Sequence, residues 1–293
     1  MPVSKRDIYL FDLRGFLKLE GALSPEEVAE LNGTIDTIPR LKPGEWYGYV
    51  HGHDYGTTDG LNYQQIYEAG APFEKLIDHP SWFDHLKTFV GGEDTFDYKH
   101  GPLFIDENFV NFREPGEAIG LHSGNHFGIK RNQFRVYNGK FLCCQVNVLI
   151  ALTDIGPGDG GTMIIPGSHK QNFAPPEFDL HRMQEGGSVD GLEYAEEVYM
   201  NAGDALVFVD ACCHGSAKRV NEGTRRICVY RYGPSWGNFR HGYEPSPELL
   251  DRLTPDRRQI VQPQNRLPRE PQVSPSSANI GQLMTILALF GTF

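Results

Sequence analysis

Short runs of β-branched and aromatic residues fill the chain from about residue 103 onward. These runs are LFIDENFVNFRE, FLCCQVNVLIALTD, GTMIIPGS, DALVFVDACC and RRICVYRYG. They are separated by turns rich in Gly, Pro, Asn and Asp, such as GPGDGG at 156–161 and NEGT at 221–224. Many short strands at this spacing are typical of an antiparallel sandwich or barrel. The pattern therefore predicts a mainly β core.

The first hundred residues carry a different pattern and predict flanking helices. Residues 7–20 predict an opening strand with a turn at Arg14-Gly15. A helix should follow, because Ser24 suits the N-cap and Glu27 completes a capping box. Apolar residues then recur at helical spacing, at Val28, Leu31 and Ile35. Residues 72–90 predict one or two further short helices.

Two polar segments interrupt these patterns. Residues 171–200 are long for a hairpin loop and predict a lid or rim insertion. Residues 262–280 are rich in Pro and Ser, which favours an extended or disordered conformation. We therefore expect a single domain over residues 1–261 and a tail over residues 262–293.

Composition and charge narrow the class of protein. The 293 residues are 39% hydrophobic and 22% charged, as in a globular protein. The net charge of −11 argues against a nucleic-acid polymer as partner, although local arginines could still bind a small anion. Five cysteines without a CxxC spacing predict reduced thiols in a cytoplasmic protein. No apolar stretch is long enough for a membrane span, so no membrane partner is expected. The oligomeric state stays open.

Two of the eleven histidines lie at the ends of predicted strands. His122 follows a strand-like segment in GLHSGN, and His214 ends the apolar strand VFVDACC. Only a fold that joins distant strands can pair them, and a jelly roll does so. A single strand-end histidine is more often a polar residue with a structural hydrogen bond than a ligand. The two histidines alone therefore do not identify a metal site, and a third feature is needed.

That third feature is Arg225, eleven residues after His214. On a strand, its side chain shares one face with Ile227, Val229 and Arg231. A buried arginine is costly unless an anion satisfies it, and a carboxylate fits its fork best. Two imidazoles with a carboxylate-binding arginine describe a non-haem iron site that uses a 2-oxo acid. The alternative is that Arg225 or Arg226 makes an ordinary surface ion pair.

The sequence resembles the phytanoyl-CoA dioxygenase family over about residues 8–235. The segments FDLRGFLKLEGALSPEEVAELN, ALTDIGPGDGGTMIIPGSHK, AGDALVFVDACCHGS and GTRRICVYRYGP carry the likeness. The resemblance implies a double-stranded β-helix (a cupin-like jelly roll), Fe(II), 2-oxoglutarate and O2. It assigns His122 and His214 as iron ligands and Arg225 as the residue that binds the distal carboxylate of 2-oxoglutarate. His169, in PGSH, is expected to be structural.

The sequence departs from the family pattern at one ligand position. The usual His-x-Asp or His-x-Glu is here His122-Ser123-Gly124, and glycine cannot bind iron. Chloride could take the vacant position at Gly124, as in the iron/2-oxoglutarate halogenases with His-x-Gly or His-x-Ala, where an iron(IV)-oxo species with a cis chloride chlorinates carbon. Water could take it instead, which would make the protein a hydroxylase. Asp210 could also substitute, in a distorted geometry.

Within the halogenases, the chain is similar to the nucleotide halogenases of 2′-chloropentostatin-type antibiotic pathways, which act on 2′-deoxyadenosine monophosphate. This resemblance implies a purine deoxynucleotide substrate. A catalytically silent cupin-like binding module is the alternative from a different class.

Further polar and aromatic residues are candidates for the site. Gln145, Asn147 and Asn111 are candidates for contact with 2-oxoglutarate or substrate, although the two amides Gln145 and Asn147 could equally make core hydrogen bonds. Lys130, Arg131 and Arg135 form a basic cluster that could clamp a phosphate or simply face solvent. The other substrate candidates are Arg113, His126, Trp236, Phe239 and Arg240.

Overall fold

The computed structural model describes residues 3–55, 60–91, 101–176, 178–182, 188–237, 240 and 243–262. No helix in these ranges is both long and apolar enough to cross a membrane. The predicted tail lies almost wholly outside them, so the division near residue 261 stays a prediction.

Two antiparallel sheets form the body of the molecule. The larger sheet has the order β1 (Phe16–Leu19), β12 (Ala205–Val209), β9 (Val146–Ala151), β14 (Arg225–Gly233), β5 (Phe104–Arg113), β4 (Leu61–Gln64), β3 (Val50–His53) and β2 (Trp46–Tyr47). The smaller sheet has the order β11 (Glu196–Val198), β10 (Thr162–Ile164), β13 (His214–Ser216) and β6 (Ile119–His122). A separate hairpin joins β7 (Val136–Tyr137) to β8 (Lys140–Phe141).

The strand order confirms the predicted jelly roll. Strands far apart in sequence lie side by side, as β14 does between β5 and β9, and β13 beside β6. Side chains from both sheets line one cavity, so the sheets face each other across it. This closure brings strands from residues 104–151 and 205–233 to one place.

Helices flank the sheets, as the sequence predicted. They are α1 (Lys5–Arg14), α2 (Pro25–Thr37), α3 (Ala71–Glu74), α4 (Phe83–Val90), α5 (Phe178–His181), α6 (Pro247–Arg252) and α7 (Pro255–Val261). The predicted capping box of α2 is present at Ser24 and Glu27. In the 171–200 segment, the structure places α5 and β11, and β11 pairs with β10. Closure of this segment over the site stays a prediction.

The expected opening strand over residues 7–20 is wrong in its first half. Residues 5–14 form α1, because Ser4 and Asp7 make a capping box that starts the helix. Gly15, with φ +83°, ends it in the left-handed conformation that glycine adopts most easily. The strand is confined to Phe16–Leu19, which pairs with β12.

Alternation along β14 separates a core face from a cavity face. Tyr230 and Tyr232 are fully buried and donate hydrogen bonds to the carbonyls of Phe73 (2.7 Å) and Leu76 (3.0 Å). These bonds tie the strand to the layer of short helices. All five cysteines are buried, and none is in a disulfide.

Candidate active site

His122 and His214 lie opposite each other on neighbouring strands. They are Cα partners in the antiparallel pairing of β6 with β13, and their ring centroids are 4.1 Å apart. The ring of Phe208 lies 4.8 Å from that of His214 and packs edge-on against it. The fold therefore brings together the two histidines that the sequence selected.

Each imidazole is oriented by the backbone carbonyl of the residue two positions before it. Nδ1 of His122 lies 3.2 Å from the carbonyl of Gly120, and Nδ1 of His214 lies 2.8 Å from that of Cys212. A proton on Nδ1 leaves Nε2 with the lone pair, which is the usual arrangement of a metal-binding histidine. Burial lowers the pKa of His214 to about 4, against the opposing effect of the Asp210 carboxylate, so this ring is neutral at pH 7. The pair therefore suits a divalent metal such as iron(II).

A cavity of about 270 Å³ opens beside the two histidines. Apolar side chains form much of its wall, namely Phe109, Ile119, Ile129, Leu149, Phe208, Ile227 and Val229. Its polar lining includes Tyr55, Asn62, Asn111, Ser123, Arg131, Asn147, Thr162, Ser216, Arg225, Arg231 and Arg240. A mostly apolar pocket with a few converging polar groups is the usual form of a small-molecule site.

Arg225 enters this cavity from β14. It is buried, and its guanidinium hydrogen-bonds to Asn111 Oδ1 (3.0 Å), Ser216 Oγ (3.3 Å) and the carbonyl of Gly160. Ile227, Val229 and Arg231 line the same cavity, which confirms the predicted face of the strand. Neutral oxygens hold the fork in place, and a carboxylate could replace or join them.

The loop after His122 exposes Ser123, not Gly124, to the cavity. Gly124 has φ +104°, and a Cβ there would lie 2.8 Å from the ring of His126 and 2.9 Å from Gln171 Nε2. Neither of these neighbours lines the cavity. Ser123 itself adopts a left-handed φ of +60°, which is uncommon for a residue with a side chain. A side chain at position 124 would thus point away from the cavity in this loop conformation.

Asp210 lies close to the histidines but has other partners. Its carboxylate accepts hydrogen bonds from Arg131 Nε (2.8 Å), Asn147 Nδ2 (3.0 Å), Ser123 Oγ (3.3 Å) and Arg240 Nη2 (3.4 Å). Burial alone would raise its pKa, but the charges of Arg240 and Arg131 hold that pKa below its usual range.

The described residues contain no group of three or more His, Cys, Asp or Glu side chains placed to hold a metal. In this part of the chain the protein's own candidate ligands are therefore the two histidines.

A second carboxylate, that of the half-buried Glu107, lies on the other side of the cavity. It accepts hydrogen bonds from Tyr55 Oη (2.7 Å) and Arg231 Nη1 (2.7 Å), and Arg240 Nε lies 3.6 Å away. Burial would raise the pKa of Glu107, but Arg231 and Arg240 lower it overall. Sequence reasoning missed Tyr55 and Glu107, because neither lies in a motif or on a predicted face that points to a ligand. It treated Ser123 only as the middle residue of the His122-Ser123-Gly124 motif.

The structure gathers part of the predicted set of site residues. Asn111, Asn147, Arg131 and Arg240 line the cavity with the histidines and Arg225. The remaining candidates that it describes, namely Gln145, Arg113, His126 and Trp236, do not line it. Phe239 lies outside the described residues.

Each of these four residues has another environment. Gln145 bonds to Asp106 and Arg240, and Arg113 bonds to Ser216 Oγ and two backbone carbonyls. His126 packs on Phe178 and contacts Gln171. Trp236 is 59% exposed.

The expected phosphate clamp is not assembled in this structure. Arg131 turns inward to Asp210, whereas Lys130 and Arg135 are exposed and lie outside the cavity lining. His169 also lies away from the cavity. Its Nε2 is 3.0 Å from the carbonyl of Asp12, so it ties the PGSH turn to α1.

Comparison with known proteins decides the family. The model of the phytanoyl-CoA dioxygenase (PhyH) family matches residues 11–227. The chain belongs to the phytanoyl-CoA dioxygenase family. It is accordingly an enzyme of the iron(II)- and 2-oxoglutarate-dependent dioxygenase kind.

Two similar relatives are dioxygenases. The chain is 28% identical over 264 residues to the dioxygenase cdmD of Talaromyces verruculosus, covering 84% of this chain and 80% of the relative. It is 25% identical over 237 residues to the ectoine dioxygenase of Streptomyces coelicolor, covering 75% and 74%.

Solved structures of similar proteins share the fold. HygX from Streptomyces hygroscopicus with nickel and 2-oxoglutarate bound has a TM-score of 0.66 and 24% identity, covering 84% of this chain and 94% of that one. The epimerase SnoN from nogalamycin biosynthesis has a TM-score of 0.54 and 15% identity, covering 84% and 88%. HygX has also been solved with iron bound.

Proposed function

We propose that this member of the phytanoyl-CoA dioxygenase family is a halogenase that chlorinates an aliphatic carbon of a small polar metabolite. One observation carries the proposal: two histidines face each other at the cavity, while the residue at the usual carboxylate position is Gly124. Chloride would restore the charge that the missing carboxylate supplies elsewhere in the family. When bound, iron(II), 2-oxoglutarate and O2 supply the oxidation that removes a hydrogen atom from the substrate.

The chain's own residues divide the work of binding. His122 and His214 would hold the iron through Nε2, and Arg225 would bind the distal carboxylate of 2-oxoglutarate. Arg131, Arg231 and Arg240 also line the cavity and favour anions near the metal, although Asp210 and Glu107 offset part of their charge. The apolar wall excludes water from the reacting carbon.

Hydroxylation is the second candidate, and two observations favour it. The relatives named above are dioxygenases. The Cβ direction at Gly124 also points away from the cavity, so the loop is not shaped around a halide site at that residue. Water at the third position would then make the enzyme a hydroxylase. A binding module without turnover is set aside, because the chain belongs to an enzyme family and has both histidines and Arg225 in the cavity.

A purine deoxynucleotide such as dAMP is the first substrate to test. Its support lies in the sequence resemblance alone. Arg131 is paired with Asp210, and Trp236 does not line the cavity. Polar natural products form the second group, because HygX has been solved with hygromycin B bound.

Product analysis separates these functions. The protein is loaded anaerobically with Fe(II), 2-oxoglutarate and chloride, and O2 is admitted with each candidate substrate. A chlorine isotope pattern in the product mass is expected. A gain of one oxygen alone would favour the hydroxylase, and absence of succinate with every substrate would contradict both functions.

Two variants at one position test the vacant ligand site. Gly124→Ala adds the same Cβ as Gly124→Asp but no carboxylate, so it controls for backbone strain. We expect Gly124→Ala to keep chlorination at a reduced rate. Gly124→Asp should lose it once the loop turns so that the new carboxylate reaches the metal, because the side chain at 124 points away from the cavity in the present loop conformation. Chlorination by both variants at equal rates would show that position 124 does not decide the chemistry.

A further inference from the structure

Asp210 is a buried carboxylate whose contacts converge on the proposed iron site from separate parts of the chain. Its residue is 1% exposed. Ser123 comes from the loop directly after His122, Arg131 from a short 3-10 helix, and Asn147 from β9. All three side chains line the cavity, whereas Asp210 itself does not.

The backbone around Asp210 is also fixed. Its N–H donates to the carbonyl of Gln145 (3.0 Å), next to β9. Two residues further on, the carbonyl of Cys212 accepts from His214, and the N–H of Cys213 donates to Ser168 Oγ (2.7 Å). Asp210 therefore lies at the start of a turn that these hydrogen bonds hold in place. The turn ends at His214, and the side chain of Asp210 reaches the loop after His122.

The carboxylate also sets the direction of the Asn147 amide. An ionised carboxylate only accepts hydrogen bonds, so Asn147 must present Nδ2 to it. Oδ1 of Asn147 is then the other end of the amide, and among the described residues it has no hydrogen-bond partner although it is buried. Since Asn147 lines the cavity, this orphaned acceptor fits a ligand that carries a hydroxyl, an amine or a bound water.

The left-handed backbone of Ser123 fits the same role. A non-glycine residue at φ +60° costs free energy and persists where its surroundings hold it. The hydrogen bond from Ser123 Oγ to Asp210 Oδ2, at 3.3 Å, holds it here.

We propose that Asp210 is a positioning residue of the iron site, which holds Ser123, Arg131 and Asn147 in the places from which they face the cavity. This inference rests on the metal site of the proposed function and adds a carboxylate that acts from outside the ligand set. It applies equally to halogenation and hydroxylation, because it concerns the site and not the third ligand.

Metal binding provides a test that does not depend on turnover. Metal-free protein is titrated with Ni(II) by calorimetry, and 2-oxoglutarate is then titrated into the Ni(II)-loaded protein. We expect Asp210→Asn to raise the Ni(II) Kd by on the order of tenfold or more, as loss of an outer-shell partner usually does. Glu74→Gln is the matched control, because Glu74 is also a buried carboxylate, pairs with Arg252 at 3.0 Å, and lies outside the cavity lining. Its Ni(II) Kd should stay within about twofold of the parent.

Ser123→Ala separates positioning from simple charge. This variant removes the hydroxyl but leaves every charge in place, and it avoids the risk that Asp210→Asn fails to fold. Positioning predicts a Ni(II) Kd raised by on the order of threefold, whereas a purely electrostatic effect of Asp210 predicts no change.

Two results would overturn the inference. One is a Ni(II) Kd of Asp210→Asn within twofold of the parent. The other is a raised Ni(II) Kd in Asp210→Asn together with an unchanged Ni(II) Kd in Ser123→Ala. The metal site of the proposed function is tested separately by His214→Ala. If the two histidines do not hold a metal, this variant would bind Ni(II) as the parent does.

Discussion

Arg225 and Arg226 are neighbours in sequence but face opposite sides of β14. Arg225 lines the cavity, whereas Arg226 pairs with Asp36 at 2.7 Å and with Asn32 at 3.0 Å on the outer side. We expect Arg225→Gln to raise the KM for 2-oxoglutarate by on the order of 30-fold, because a buried carboxylate would lose its charged partner. Steady-state kinetics with varied 2-oxoglutarate measures this change.

The matched control for that prediction is Arg226→Gln. It removes the same charge one residue away and should leave the KM for 2-oxoglutarate within about twofold of the parent. Equal effects of the two substitutions would mean that net charge, not the position of Arg225, governs binding of the cosubstrate.

Gly124 is held in a backbone conformation that suits glycine alone. Its φ of +104° and the nearby His126 ring should make Gly124→Ala less stable by about 1–3 kcal/mol. Gly128 has φ +64° but open space around its Cβ position, so Gly128→Ala should cost about 1–2 kcal/mol from the backbone alone. Urea denaturation of both variants measures the difference, and a smaller loss at Gly124 would contradict the crowding by His126.

Sequence reasoning found the residues whose chemistry is tied to a pattern. His122, His214 and Arg225 end or begin strong strand patterns at a spacing that one fold can join. Asp210 was noted only as a substitute ligand, because its contacts with Ser123, Arg131 and Asn147 depend on how a loop, a 3-10 helix and strand β9 meet. Such contacts arise in tertiary structure and leave no periodic signal in the sequence.

Helix α2 follows from local signals that the sequence displays directly. Ser24 Oγ accepts from the Glu27 N–H at 3.2 Å, and the Glu27 carboxylate accepts from the Ser24 N–H at 2.8 Å. We expect Ser24→Ala to lower the free energy of unfolding by about 1 kcal/mol and to leave Ni(II) affinity unchanged. Denaturant unfolding and calorimetry measure the two quantities.

Thr34→Ala is the control within the same helix. Its hydroxyl bonds to the carbonyl of Glu30, inside the helix, and its loss should change stability by no more than about 0.5 kcal/mol. A similar loss for both variants would show that removal of a hydroxyl, not of the cap, destabilises α2.

Helix α1 shows why local patterns are not always sufficient. The segment DIYLFDLR carries apolar residues on several faces, so its hydrophobic pattern does not distinguish a helix from a strand. The deciding features are the capping box at Ser4 and Asp7 and the left-handed Gly15. The short helices α6 and α7 also begin at capped prolines, after Ser246 and Thr254, but they lie beyond the strong strand patterns on which the prediction rested.

Acid should destabilise the folded protein through the buried His169. Burial lowers the pKa of His169 to about 4, below the ordinary value of 6.5. The unfolded chain therefore binds a proton on this residue more readily than the folded chain, so stability is lost as pH falls from 6.5 towards 4. Between pH 7 and pH 5 the titration of this residue should lower the free energy of unfolding by about 2 kcal/mol.

The variant His169→Gln isolates that contribution. Glutamine can still donate to the Asp12 carbonyl but does not titrate. Urea denaturation of metal-free protein at pH 7 and pH 5 should show a smaller pH-dependent loss in the variant than in the parent. An identical loss in both would place the acid sensitivity at other groups.

The pairing of β6 with β13 has a consequence for how the chain reaches its native state. Its two histidines are 92 residues apart in sequence, so an unfolded chain must close a long loop before they meet. A divalent metal held by both would bind the folded state far better than the unfolded one and stabilise it by mass action. Metal uptake during refolding would then report when the smaller sheet closes. The ion would stabilise this late step of assembly in addition to its role in the reaction.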